Sequence, residues 1–111
     1  YAPLKETFER LNVNQLVLEY ATPRAGEVTA MMGKELGMGV VNPRTDQVET
    51  ADEIVAHVRE ALQFLSKEQI FLNPDCGFGT FSARPMNEMP AIMAKLGALV
   101  SAARRLRESA V

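Results

Sequence analysis

The chain is short of the residues that would point to several common functions. It has one cysteine, one histidine and no tryptophan, and aromatic residues make up only 6% of it. One cysteine cannot form an internal disulfide, so a reducing, cytoplasmic setting is expected. Basic residues are not in excess: 12 Lys and Arg stand against 14 Asp and Glu, a net charge of −2. That balance excludes a general affinity for nucleic acid or anionic membranes, which both need basic clusters. The nearest approach to one is Arg104, Arg105 and Arg107, which suit the negative end of a last helix. No apolar run approaches the ~20 residues of a membrane span. No signal peptide, low-complexity segment or linker is visible, and a first residue of Tyr rather than Met leads us to expect further residues upstream.

What is present reads as an ordinary globular α/β sequence of 111 residues, 47% hydrophobic and 23% charged. Leu4, Phe8 and Leu11 fall at helical spacing. Gln15 to Tyr20 then reads as a strand; its consecutive Leu16, Val17 and Leu18 suggest cover on both faces. Thr22 to Gly26 is a loop by its turn residues. Gly26 to Leu36 follows as a helix with Val28, Met31, Met32 and Leu36 inward and Gly37 as its C-cap. Met38 to Val41 is a short buried strand stopped by Asn42-Pro43. Thr50 and Glu53 form a capping box for a helix with Ile54, Val55, Val58, Ala61, Leu62 and Leu65 on one face. Ile70 to Leu72 is the third strand. A long loop from Asn73 leads to a final helix starting near Pro90, with Ile92, Leu96, Leu99, Val100, Ala103 and Leu106 as its buried stripe.

Strands alternating with helices predict parallel βαβ units. One outcome is a small three-stranded α/β domain. Both edges of such a sheet would be open. We therefore expect the C-terminal strand–helix units of a (β/α)8 TIM barrel, a fold that needs about 250 residues when complete.

Chemistry concentrates where the strands end. Asn73-Pro74-Asp75-Cys76-Gly77 holds the only thiol at the C-terminal end of a strand. Glu19 closes the first strand, where an ionised carboxylate is costly unless paired or coordinated. In a parallel sheet these ends lie on one side, so Glu19 and Cys76 can converge. Both are competent Zn²⁺ ligands, although zinc sites normally use four. Other readings stay open: Cys76 as a small buried residue, Glu19 paired with Arg24 or Arg44, and Arg44 and Arg84 as solvated loop residues rather than anion binders. His57 lies mid-helix, away from these ends, and the methionines read as core filling.

With its preceding Ile70-Phe71-Leu72, the Asn-Pro-Asp-Cys-Gly run resembles the C-terminal signature of cobalamin-independent methionine synthases. Leu18-Glu19, Gly39-Val40-Val41 and Val48-Glu49-Thr50 are similar to that family in order and spacing. The resemblance implies the last three units of a TIM barrel and a catalytic zinc held by a His, a Cys, a Glu and a final Cys. Glu19 matches the glutamate and Cys76 the final ligand, with Asp75, Arg44 and Arg84 as candidate substrate-binding residues. The family's His-x-Cys pair has no counterpart here, so the chain alone is expected to be half a zinc site and inactive, with the remainder of the barrel as its partner. The implied reaction is methyl transfer from a 5-methyltetrahydrofolate-type donor to the thiol of homocysteine, a thiol that zinc would acidify. Phe78-Gly79-Thr80-Phe81 departs from the family's usual continuation and is more similar to a methionine-synthase-II-like branch, related to alkyltransferases that act on coenzyme M. Another thiol acceptor is therefore the alternative. A non-catalytic α/β fragment or interaction domain, and a zinc-free barrel resembling uroporphyrinogen decarboxylase, are the rivals of other classes.

Overall fold

A computed structural model describes residues 1–22, 33–79 and 87–109. A 3-10 turn at Ala2–Leu4 leads into α1 (Lys5–Arg10), followed by β1 (Gln15–Glu19) and β2 (Glu35–Val41). Then come α2 (Ala51–Ala61), a 3-10 turn at Lys67–Gln69, β3 (Ile70–Pro74) and α3 (Met89–Glu108). The strands form one parallel sheet in the order β1-β2-β3, with Leu16 beside Leu36 and Leu36 beside Ile70. This is the expected α/β arrangement of strand–helix units.

Side chains alternate across a sheet, so its two faces can be read from this register. Leu16, Leu18, Leu36, Met38, Ile70 and Leu72 share the face that packs against Ile54, Val55 and Val58 of α2 and against Leu99 and Ala102 of α3. The opposite face carries Val17, Glu19, Gly37, Gly39, Phe71 and Asn73. Val17 is 63% exposed and Phe71 48%. The run Leu16-Val17-Leu18 is thus covered on one face only among the described residues, not on both as its composition suggested.

The capping box at the start of α2 is present: Glu53 N–H donates to Thr50 Oγ1 at 3.1 Å, and Thr50 N–H to Glu53 Oε2 at 3.4 Å. Elsewhere the structure corrects the expected boundaries. Leu36 and Gly37 belong to β2, which starts at Glu35 because its ladder with Gln15 begins there. The residue with left-handed backbone is Gly33 (φ 80°), just before that strand. Pro23 to Gly26 and the helix predicted from Gly26, with Val28, Met31 and Met32, lie outside the described residues, as does Met86.

The buried line of α3 differs from the apolar stripe as well. Lys95 and Ala102 are its fully buried residues, whereas Val100 is half-exposed. Burial follows the positions that meet α2 and β2, and a lysine occupies one of them. Met38 fills the core as expected, but Met89 and Met93 are exposed on α3. No helix among the described residues is long and apolar enough to cross a membrane.

Candidate functional site

The C-terminal ends of the three strands lie side by side, and each ends in polar residues. Glu19 is the last residue of β1. Its backbone N–H donates to the Tyr1 hydroxyl oxygen at 3.0 Å, and its carboxylate lies 3.7 Å from Nη1 of Arg44. Both side chains of that pair are about half exposed, so the attraction is weak and leaves Glu19 accessible.

Arg44 sits on a tightly held loop after β2. Its N–H donates to Asn42 Oδ1 at 3.0 Å, and Gln47 N–H donates to Thr45 Oγ1 at 3.2 Å. Lys95, 0% exposed, reaches up from α3 and spends all three donors beneath this loop. They go to Asn42 O (3.0 Å), Gln47 O (2.8 Å) and Glu49 Oε1 (2.9 Å). The other Glu49 oxygen accepts from Asn42 N–H at 2.7 Å, and Asn87 Nδ2 donates to Pro43 O at 2.8 Å. Every donor of the buried ammonium is therefore satisfied, which is what keeps a charge tolerable there.

β3 delivers the third group of residues. A bulge between Gly39 and Val41 shifts the register at the end of the β2–β3 ladder. Asp75 N–H donates to Val41 O at 2.8 Å. The Asp75 carboxylate then reaches across β2, where Oδ1 accepts from Tyr20 N–H (3.2 Å) and Ala21 N–H (3.1 Å). Burial raises the Asp75 carboxyl above its ordinary value of 3.8; the Ala21 bond opposes this, Glu19 adds to it, and Tyr20 and Arg44 again lower it. Glu19, Arg44 and Asp75 are thus electrostatically linked. Cys76 follows directly and is a free, exposed thiol, not the buried residue that free cysteines commonly are.

The structure brings Glu19, Arg44 and Asp75 together and puts Cys76 beside Asp75 in the chain. Arg24 and Arg84 lie outside the described residues. His57 is half-buried in α2, a helix on the other face of the sheet from Glu19. The donor chemistry of Glu19 and Cys76, one carboxylate and one accessible thiol, fits two positions of a zinc site. Among the described residues no group of three or more His, Cys, Asp or Glu is placed to hold a metal.

Sequence reasoning named Glu49 and Gly39 only as part of the family resemblance, with no role of their own, and overlooked Lys95. The signal for Lys95 was available, since it falls between Ile92 and Leu99 at helical spacing in an otherwise apolar stripe. A groove of about 540 Å³ between β3, α2 and α3 is lined mainly by Val58, Leu62, Ile70, Leu72, Leu99 and Val100. It contains none of the residues above and lies on the helix-covered face.

Comparison with known proteins agrees with this geometry. Residues 3–105 match the family model described as "Cobalamin-independent synthase, Catalytic domain". A methionine synthase of Pyrococcus abyssi is 36% identical over 87 residues, covering 76% of this chain and 26% of that protein. A 5-methyltetrahydropteroyltriglutamate–homocysteine methyltransferase of Streptococcus agalactiae is 34% identical over 80 residues, which are 72% of this chain and 10% of the relative. A solved B12-independent methionine synthase from Shewanella sp. W3-18-1, in complex with selenomethionine, superimposes with a TM-score of 0.78 at 23% identity. That match covers 97% of this chain and 30% of the larger structure, and shows that the fold is part of the same α/β barrel. The chain thus spans about a quarter or less of the length of these curated relatives.

Proposed function

This chain belongs to the family of the cobalamin-independent synthase catalytic domain, and on that premise we propose that it is the C-terminal part of the catalytic barrel of a zinc-dependent thiol methyltransferase. The reaction we assign is transfer of a methyl group from a 5-methyltetrahydrofolate-type donor to the sulfur of homocysteine, giving methionine. The observation that carries the assignment is the placing of Glu19 at the end of β1 and of Cys76 just past the end of β3, at the same C-terminal end of one parallel sheet.

In this reading Glu19 and Cys76 are two of the zinc ligands, and the others come from the rest of the barrel. Bound there, zinc would supply Lewis acidity, making a thiol available as thiolate at neutral pH. The contribution of this chain is to position and to bind. Arg44 offers a guanidinium beside Glu19 for an anionic group of the substrate, a role Arg84 would share. Asp75 keeps one oxygen on the backbone of β1's end, and its second oxygen is the candidate contact for a substrate amine. The open face bearing Val17 and Phe71 becomes the barrel interior once the remaining strands are in place. We place the enzyme in the cytoplasm, the reducing setting that suits a catalytic thiolate ligand.

One sequence feature favours a second reading. Phe78-Gly79-Thr80-Phe81 follows the Cys-Gly step, and its similarity to the methionine-synthase-II-like branch makes another thiol, such as coenzyme M, the alternative acceptor. Metal analysis of the full-length protein tests the assignment. Stoichiometric zinc that survives dialysis and is lost in Cys76→Ser and in Glu19→Gln is expected; zinc retained in both variants would sink these ligands. Zinc-edge spectroscopy with homocysteine and with coenzyme M distinguishes the acceptors, through the appearance of a new zinc–sulfur bond with one of them.

A further inference from the structure

We propose that Asp75 is a positioning residue whose carboxylate ties the end of β1 to the end of β3, and that Gly39 is glycine so that this tie can cross β2. The inference rests on the zinc reading above and adds what holds the two ligands in register.

Glu19 ends β1 and Cys76 follows β3, two strands that do not touch because β2 lies between them. Ladder hydrogen bonds alone would set their spacing through two successive strand pairs, and the second pair ends in a bulge. Asp75 bypasses that route. Its backbone N–H is held by Val41 O at 2.8 Å, and its Oδ1 accepts from both Tyr20 and Ala21 N–H at 3.2 and 3.1 Å. Tyr20 N–H also donates to Gly39 O at 3.1 Å, so the end of β1 is bonded at one point both to β2 and to the residue that follows β3. Glu19 is one residue before Tyr20, and Cys76 is one residue after Asp75. The tie therefore acts one covalent step from each ligand.

Gly39 is the residue beneath the crossing. A Cβ added there would collide with Asp75 Oδ1, and would lie 3.0 Å from Leu18 O and 3.1 Å from Asp75 Cα. Two of these neighbours are backbone or anchored to it, so a methyl group cannot be accommodated by turning one flexible side chain. Left-handed geometry plays no part, since Gly39 sits within β2 and Gly33 alone among the described glycines has positive φ. Space for the carboxylate is the requirement.

The test uses the full-length protein and measures zinc affinity by chelator competition, together with the melting temperature. Outer groups that orient metal ligands typically contribute roughly 10- to 100-fold in affinity. Asp75→Ala is expected to weaken zinc by that factor. Asp75→Asn, which keeps the Oδ1 acceptor but removes the charge, is expected to retain nearly all of it. Gly39→Ala should resemble Asp75→Ala. Thr50→Ala, which removes a helix cap remote from the strand ends, should lower melting without changing zinc affinity. If Asp75→Ala binds zinc like the unaltered protein, or if Asn and Ala are equally weak, the positioning role is overturned. Should Gly39→Ala fail to fold, the Asp75 pair still decides. Zinc lost in Cys76→Ser but kept in Asp75→Ala refutes the tie alone, whereas zinc indifferent to Cys76→Ser refutes the site and the tie together.

Discussion

Nζ of Lys95 lies 2.9 Å from Oε1 of Glu49, joining the middle of α3 to the loop that carries Arg44. The ammonium is fully buried and its three acceptors belong to one loop. Removing one partner of a buried pair costs about 3–5 kcal/mol, because the other charge is left without compensation. Lys95→Met should therefore destabilise by that order in urea unfolding. Combining it with Glu49→Gln should recover part of the loss, since the stranded carboxylate is neutralised.

Tyr20 gives a prediction for alkaline solution. Its ring is 1% exposed, stacks edge-on with Tyr1 at 5.2 Å, and its hydroxyl has no hydrogen-bond partner among the described residues. Burial, with a smaller contribution from Tyr1, pushes the phenol up to about 12 from 10.0. A proton held more tightly in the folded state stabilises it fully below pH 10.0, and that stability is lost as pH rises towards about 12. Tyr20→Phe should flatten this alkaline loss. At neutral pH it should be neutral or stabilising by about 1 kcal/mol, because an unsatisfied hydroxyl is removed. Unfolding measured from pH 8 to about 12 checks both.

Arg44 separates stability from binding. Its pairing with Glu19 is 3.7 Å long and half exposed. Arg44→Ala should change stability by no more than about 0.5 kcal/mol. If the guanidinium holds an anionic substrate group, KM of the full-length enzyme should rise while kcat changes little. Unchanged KM would remove Arg44 from the site.

Val17 tests the closed barrel. It is 63% exposed on the open face of the sheet. In an open sheet Val17→Asp would be a surface change worth about 0.5 kcal/mol or less. In a closed barrel it places a carboxylate in the interior, and the full-length protein should lose ~3 kcal/mol or more. Chemical denaturation of the two full-length proteins distinguishes these outcomes.

Much of the local structure was legible because it depends on neighbours in sequence. The Thr50–Glu53 capping box, the apolar face of α2 and proline in the first turn of α3 are all short-range signals, and each is present. The places of Glu19 and Cys76 at strand ends were legible for a similar reason. Asn73-Pro74 ends a strand and Glu19 ends an apolar run, so both fall where strands stop. Less legible were Leu36 and Gly37, which suit a helix end by local preference but are drawn into β2 by pairing with β1. Lys95 was missed because its acceptors, at 42, 47 and 49, are about fifty residues away in sequence.

By itself, then, the sequence determined the alternation of strands and helices and the family signature around Cys76. Periodicity, turn chemistry and charge are properties of short segments and survive without a fold. Only the tertiary structure decided that Asp75 is bonded to the end of β1, that Gly39 leaves room for it, and that among the described residues one face of the sheet is covered while the other is open. Those relations join residues far apart in the chain, and no local preference encodes them. They exist because parallel strands bring their C-terminal ends together, which turns a lone thiol and a distant carboxylate into neighbours of one tie.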